Sequence, residues 1–252
     1  MSVVVPVHDE RDNLDLLHRH VREALDGVVG NWELILVNDG STDGSDQVLD
    51  RLAVSDPRVR ALHLASRRGQ TAALLAGFRA ARGDAICMMD ADLQNDPADL
   101  PRLLAALDDH GAVVGWRRNR QDTWVRRVSS RIANAVRNAL TRETITDTGC
   151  SLKVFRREAI EHLWLTRGMH RFLPTLVRMQ GFSVIELPVH HRPRHAGVSK
   201  YGIGNRLFVG IADLLMVAWM RRRAFVYSIE RESGLGLASS PARDDLTRPG
   251  GN

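Results

Sequence analysis

Runs of apolar residues alternate with helically spaced ones along the first half of this chain. SVVVPVHDE opens with a short β-branched run that Pro6 and polar residues stop, and NLDLLHRHVREAL after it carries apolar positions at helical spacing. WELILVNDGSTDGS repeats the plan: a buried strand, an Asn/Asp/Gly/Ser turn, then a helix through about Leu52. Val59 to Leu64 reads as a third strand and Gln70 to Ala81 as a helix. AICMMD is a fourth strand ended by DADLQNDP, PADLPRLLAALDD a helix, and AVVGWR a fifth strand.

Strands alternating with helices predict an α/β fold, a mostly parallel sheet with helices on both faces. Ligands of such sheets bind beyond the carboxyl ends of the strands. Three of those ends are acidic here: Asp9 with Glu10, Asp39, and Asp90 with Asp92.

Beyond Arg117 the pattern changes. TWVRRVSSRIANAVRNALTR puts Val125, Val128, Ile132, Val136 and Ala139 on one helical face and Arg126, Arg127, Arg131 and Arg137 on the rest. Two readings stand: a helix packed on the domain with a solvated basic face, or one that meets an anionic ligand or a membrane surface. Leu207 to Met220 is apolar except for Asp213, which shares a narrow polar stripe with Arg206, and Arg221 to Arg223 follow. Fourteen residues of helix rise about 21 Å, short of the roughly 30 Å hydrocarbon core. A core helix, a partner interface or a helix lying among lipid headgroups all fit, and the flanking arginines favour the last. The expected organisation is a domain over 1–205, an apolar and basic interfacial helix over 206–225, and a Gly/Ser/Pro-rich disordered tail over 226–252.

The chain has 252 residues and a formal charge of +5 that hides an asymmetry. Residues 1–110 carry 11 Lys/Arg against 19 Asp/Glu, and the remainder 24 against 11, so the halves are expected to face different partners. Two cysteines, Cys87 and Cys150, are too few for a disulfide framework and lack metal-ligand spacing; they read as buried thiols in a reducing compartment. A start that runs straight into a strand implies no secretory leader, and no apolar run reaches a membrane span. The expectation is a cytoplasmic protein, peripheral on the cytoplasmic face of a membrane, with no nucleic-acid partner.

Asp90 and Asp92 form a D-x-D pair where a strand gives way to a turn, so strand alternation sends both carboxylates to one side. Two desolvated carboxylates repel unless a cation neutralises them. A hard divalent ion does so, and Mg²⁺ or Mn²⁺ commonly links one or two carboxylates to substrate phosphates. Gln94 adds a neutral oxygen. A carboxylate pair for glycoside hydrolysis is the competing chemistry. Asp39, between LILVN and Gly40, suits the N–H groups of a base or the hydroxyls of a ribose; the alternative is that Asp39 or Ser41 caps the next helix.

Together these blocks resemble the family-2 inverting glycosyltransferases of the GT-A fold, in the polyprenyl-phosphate, dolichol-phosphate mannose synthase-like branch. VVVPVHDERDNL is similar to that family's opening, WELILVNDGSTDGS to its strand-two motif, and MMDADLQNDP to its D-A-D-L-Q-x-P signature. RNRQDTWVRRVSS, TDTGCSLKVFRREAI and RHAGVSKYGIG match later blocks, and the likeness runs over about residues 2–223. It implies a Rossmann-like central sheet, flanked by helices, with C-terminal amphipathic interface helices. It implies that Pro6, His8, Glu10, Val37 and Asp39 line the nucleotide. Asp90, Ala91, Asp92 and Gln94 would hold the diphosphate through Mg²⁺ or Mn²⁺, with Asp92 and Gln94 the metal contacts and Arg117 closing the site. Arg194 and Lys200 would reach the donor phosphates and the acceptor, and Arg127 with Ser130 the lipid phosphate. His8 and Asp9 depart from the family's Tyr-Asn, and Arg68 from its Asn before Gly69.

The implied reaction takes a sugar from a UDP- or GDP-linked donor to a polyprenyl phosphate. An acceptor already ionised needs little help from a base; Asp147 in ITDTGC is the residue to name if a base or an acceptor-orienting carboxylate is required, against a plain turn role. Lys200, between Gly197 and Gly202, suits a lid. Cys150 reads as packing. A family-2 transferase with a soluble saccharide or protein acceptor, and a catalytically silent nucleotide-binding scaffold, are the alternatives; a nucleotidylyltransferase would need a glycine-rich loop that HDERDN is not. A homo-oligomer or a membrane-protein partner stays open.

Overall fold

The computed structural model describes residues 1–117, 145–192 and 204–225. The arginine-rich segment with Arg127 and Ser130, the later Arg194 and Lys200, and the 226–252 tail lie outside the described residues.

β1 (Ser2–Val7) and β2 (Glu33–Asn38) are nearly unbroken apolar runs because both of their faces are covered. Val3, Val5, Val7, Leu34 and Leu36 pack to one side against α1 (Arg11–Leu25) and α2 (Ser45–Ser55). Val4, Ile35 and Val37 pack to the other side, against α3 (Gln70–Ala80). β3 (Val59–His63), β4 (Ala85–Met88) and β5 (Ala112–Arg117) complete the five strands expected from the sequence. The expected helix after β4 is shorter than its pattern: a 3₁₀ turn over Pro97–Asp99 leads into α4 (Leu100–Ala105).

Two strands were not legible. β6 (Lys153–Arg156) leads into α5 (Arg157–Ile160), α6 spans Leu173–Met179, and β7 (Val184–Val189) follows. The strand order is β3-β2-β1-β4-β6-β5-β7. Only β6 runs antiparallel, inserted between β4 and β5. It therefore enters from the edge where the parallel strands end, and its first residue, Lys153, pairs with both Met88 and Val114.

The chain winds outward from β1 to β2 and β3, then crosses back to β4 on the other flank. The boundary between β1 and β4 is thus the reversal point at which open α/β sheets open a crevice. β4 pairs with β1 only as far as Val4, so Pro6, which has no N–H, stands beyond the end of that ladder.

The helix expected over 206–225 is observed as α7, Gly204–Arg223. One face belongs to the core: Leu214 and Val217 join the cluster on the α3 side of the sheet. Leu215, Trp219 and Phe225 are exposed, at 56%, 59% and 79%. The segment is therefore a docked helix with an uncovered apolar flank. Among the described residues, no helix is long and apolar enough to cross a membrane.

Candidate functional site

The loops after β1 and β2 brace one another. Asp9, at φ +50°, donates its N–H to Ser41 Oγ (3.0 Å) and accepts at Oδ1 from Thr42 N–H (2.7 Å). Glu10 donates its N–H to Ser45 Oγ (3.1 Å), and its Oε2 accepts from Asn13 Nδ2 (2.7 Å). Asp43 accepts from the N–H groups of Arg11 (3.0 Å) and Ser45 (3.0 Å). His8, Glu10, Pro6 and Val37 meet at this end of β1 and β2, where Pro6 and Val37 are paired in register.

Asp39 is 4% exposed, and its carboxylate accepts from the backbone N–H of Arg68 (2.6 Å) and of Gly69 (2.8 Å). It ties the β2 tip to the start of α3 rather than capping α2, whose N-cap is Gly44. Gly40 makes the same approach possible: at φ +66°, a side chain there would place its Cβ 2.8 Å from Arg67 N.

Gln70, the first residue of α3, donates from Nε2 to Asp90 Oδ1 at 2.8 Å. Asp90 sits beyond the end of β4, and its carboxyl is pushed above the usual range by burial and by the Asp92 charge, against Ser151, Lys153 and Arg117. Asp92 is 8% exposed and accepts from Gln94 N–H (3.2 Å), while Ala91 is buried beneath the turn and Leu93 takes φ +62°. The turn is anchored on its far side. Asn95 donates to Ser151 Oγ (2.6 Å), Gln94 O accepts from Arg192 N–H (2.8 Å), and Arg192 holds Asp96.

Arg117 ends β5 and grips Asp147 with Nε on Oδ2 (2.6 Å) and Nη2 on Oδ1 (2.9 Å). Glu186 of β7 in turn fixes the 145–150 loop through Thr146 N–H (2.9 Å) and Oγ1 (2.9 Å). The two parallel bonds hold the Arg117 guanidinium in one orientation.

Behind the acids lies Lys153, 2% exposed, its Nζ donating to the Cys150 carbonyl. Burial pushes its ammonium below the usual lysine range, while Cys150, Asp90 and Asp147 pull it back. Sequence reading missed it, because a lysine opening a four-residue strand carries no pattern. Cys87 and Cys150 are buried free thiols raised by desolvation, as expected of packing cysteines.

Asp90, Gln70 and Lys153 line a cavity of about 560 Å³ together with Arg67, Arg68, Thr71, Met88, the 148–151 loop, Arg167, His170, Arg171 and Asp213. Pro6, His8, Glu10, Val37 and Asp39 are not among its walls. His170 is a second residue that pattern did not reveal. Thr71 Oγ1 accepts from Gly168 N–H (3.0 Å) and lies 2.7 Å from His170 Nδ1, and burial pushes His170 down to about 3, so the ring is neutral.

The donor set suits a hard cation. The carboxylates of Asp90 and Asp92 and the amide oxygen of Gln94 are hard oxygen donors, and a cation would offset the burial and the Asp92 charge that raise Asp90. Among the described residues no group of three or more His, Cys, Asp or Glu is placed to hold a metal ion.

Residues 2–164 match the family described as Glycosyl transferase family 2. The chain belongs to that family. It is 39% identical over 205 residues to an undecaprenyl-phosphate 4-deoxy-4-formamido-L-arabinose transferase of Aeromonas hydrophila subsp. hydrophila, covering 81% of this chain and 63% of that one. It is 39% identical over 249 residues to a dodecaprenyl-phosphate galacturonate synthase of Rhizobium johnstonii, covering 95% and 72%. The chain thus spans less than two thirds of the Aeromonas relative. Glucosyl-3-phosphoglycerate synthase of Mycobacterium tuberculosis, solved with Mn²⁺, UDP-glucose and phosphoglyceric acid, shares the fold at a TM-score of 0.65 and 21% identity, over 86% of this chain and 79% of that one. A Pyrobaculum calidifontis mannosyltransferase solved with GDP-Man and Mn²⁺ does so at 0.61 and 23%, over 88% and 63%. The GT-A, mostly parallel α/β architecture expected from the sequence is the one found.

Proposed function

We propose that this family-2 chain transfers a sugar from a UDP- or GDP-linked donor to a polyprenyl phosphate at a membrane surface, with inversion and with Mg²⁺ or Mn²⁺. The observation that carries the reading is the meeting of Asp90 with Gln70, Asp92, Lys153 and Arg117 beyond the end of β4, beside the β1–β4 reversal point. The relatives named for undecaprenyl and dodecaprenyl phosphate support the acceptor. The bare apolar flank of α7, with Arg223 stacked 5.2 Å over Trp219, supports a peripheral place on lipid.

In this reading Pro6, His8, Glu10, Val37 and Asp39 surround the nucleoside, and Asp39 also holds the Arg68–Gly69 backbone in place. Asp92 and Gln94 would hold the metal ion, and Asp90 with Ala91 would lie against the diphosphate. When bound, the ion supplies positive charge to the departing diphosphate. Arg117, held in one orientation by Asp147, adds a fixed positive charge where negative charge gathers. The acceptor phosphate oxygen bonds to the anomeric carbon from the face opposite the leaving group. The bond to the diphosphate oxygen breaks, and its electron pair departs with the nucleoside diphosphate. Arg127 and Ser130 would hold the acceptor phosphate, and Arg194 and Lys200 the donor phosphates.

Incubation of the protein with labelled UDP- and GDP-sugars, Mn²⁺ and undecaprenyl phosphate in mixed micelles is expected to yield a chloroform-soluble glycosyl phosphate. Label appearing only on water-soluble acceptors would overturn the acceptor assignment.

A further inference from the structure

Asp213 interrupts the apolar stretch of α7, and the structure gives it an unusual place. It is 9% exposed beside the packed Leu214, Val217 and Ala218, and no described residue hydrogen-bonds its Oδ2. An apolar side chain of similar volume would pack there without leaving a carboxylate oxygen dry and unbonded, so packing does not account for the acid. Nor does a salt bridge account for it. Arg171 is the charge that opposes burial of Asp213, and it offsets that burial only in part, leaving the carboxyl above its usual range. His170 is neutral with its Nδ1 at Thr71, and supplies no charge.

Asp213 is among the residues that line the cavity holding Asp90, with its Oδ2 against Gly168. Gly168 shows how closely the wall is fitted around it. At φ +88°, a Cβ on Gly168 would stand 2.3 Å from Asp213 Oδ2, so the loop has no side chain where the carboxylate sits. Consecutive residues of α3 join the two acids of the chamber: Gln70 bonds Asp90, and Thr71 bonds Gly168 and His170 next to Asp213. A donor whose diphosphate lies at Asp90 extends its sugar into the same chamber.

We propose that Asp213 recognises the glycosyl group, its carboxylate accepting hydrogen bonds from hydroxyl or amino groups of the sugar. This rests on the nucleotide-sugar reading above. The partner is a sugar face that donates hydrogen bonds. A site built to bond a substrate hydroxyl is strongly selective because the buried group is left unpaired when the hydroxyl is missing.

The test is calorimetric and needs no acceptor. Dissociation constants for UDP and GDP, and for UDP- and GDP-linked hexoses, amino sugars and uronates, are measured with Mn²⁺ on wild type, Asp213→Asn and Asp213→Leu. The expected result is a weakening of about ten- to hundred-fold for the preferred sugar nucleotide in Asp213→Leu, with the free nucleoside diphosphate unchanged. The Asn variant is expected to fall between, and the Leu variant to melt no lower than wild type. Equal weakening of nucleotide and sugar nucleotide, or none of either, would overturn the assignment. Wild type binding no sugar nucleotide overturns the donor reading and this inference together, whereas donor binding without transfer to polyprenyl phosphate overturns only the acceptor.

Discussion

Arg117 and Asp147 are joined by two parallel hydrogen bonds, Nε to Oδ2 at 2.6 Å and Nη2 to Oδ1 at 2.9 Å, with side chains only 15% and 7% exposed. Removing one partner of such a pair strips a largely buried charge of both of these bonds. Asp147→Ala is expected to cost about 3–5 kcal/mol in denaturant unfolding, and Arg117→Met with Asp147→Leu together less than the sum of the single changes. As a positioning residue, Asp147 also predicts that Asp147→Asn keeps the shape of the pH–rate profile. A general base would instead lose its ionisation limb and about 10²–10⁴-fold in rate.

The carboxylate of Asp39 holds two backbone N–H groups at the entrance to α3. An amide cannot accept from both with the same strength, because one of its ends is a donor. Asp39→Asn is expected to destabilise the fold by about 1–3 kcal/mol and to speed amide exchange at Arg68 and Gly69, read by hydrogen-exchange mass spectrometry.

Much of this was readable beforehand, and the failures have physical causes. β1 and β2 announced themselves because both faces of each are buried, and the acids at their ends followed from chain direction. Asp39 stands out in the sequence as a strand-end acid, but its bonds to Arg68 and Gly69 span about thirty residues and leave no local signal. Lys153 and His170 escaped for the same reason: β6 is four residues long and antiparallel, and the register that sets Lys153 beside Met88 comes from the sheet, not the segment. The apolar run of α7 reads as an interfacial helix; Leu214 and Val217 of that run join the core, which only their packing partners reveal.

His170 titrates at about 3 in the folded protein, below its ordinary value of 6.5. Because the folded value is depressed, the unfolded chain binds the extra proton between these two values, so stability is complete above pH 6.5 and falls as pH drops toward 3. The slope attributable to this residue is at most about 1.4 kcal/mol per pH unit. Urea midpoints at pH 7 and pH 5 are expected to differ less in His170→Gln than in wild type; equal differences would refute a buried neutral histidine.

Lys153 lends positive charge to Asp90, lowering a carboxyl that burial and Asp92 raise. Without it the carboxyl ionises at higher pH, and only the ionised form attracts a cation. Lys153→Met is therefore expected to move the pH midpoint of Mn²⁺-dependent nucleotide binding upward, as followed by fluorescence titration from pH 5 to 8.

The central claim is that the turn after β4 is a metal–diphosphate site. The most direct measurement is calorimetric titration of UDP and GDP with and without Mn²⁺, on wild type and Asp92→Asn. The account predicts that Mn²⁺ tightens binding of one of the two nucleotides by at least about tenfold in wild type, and that Asp92→Asn removes this gain without lowering the melting temperature of the apo protein. An equal Mn²⁺ gain in both proteins, or none in wild type, would contradict it.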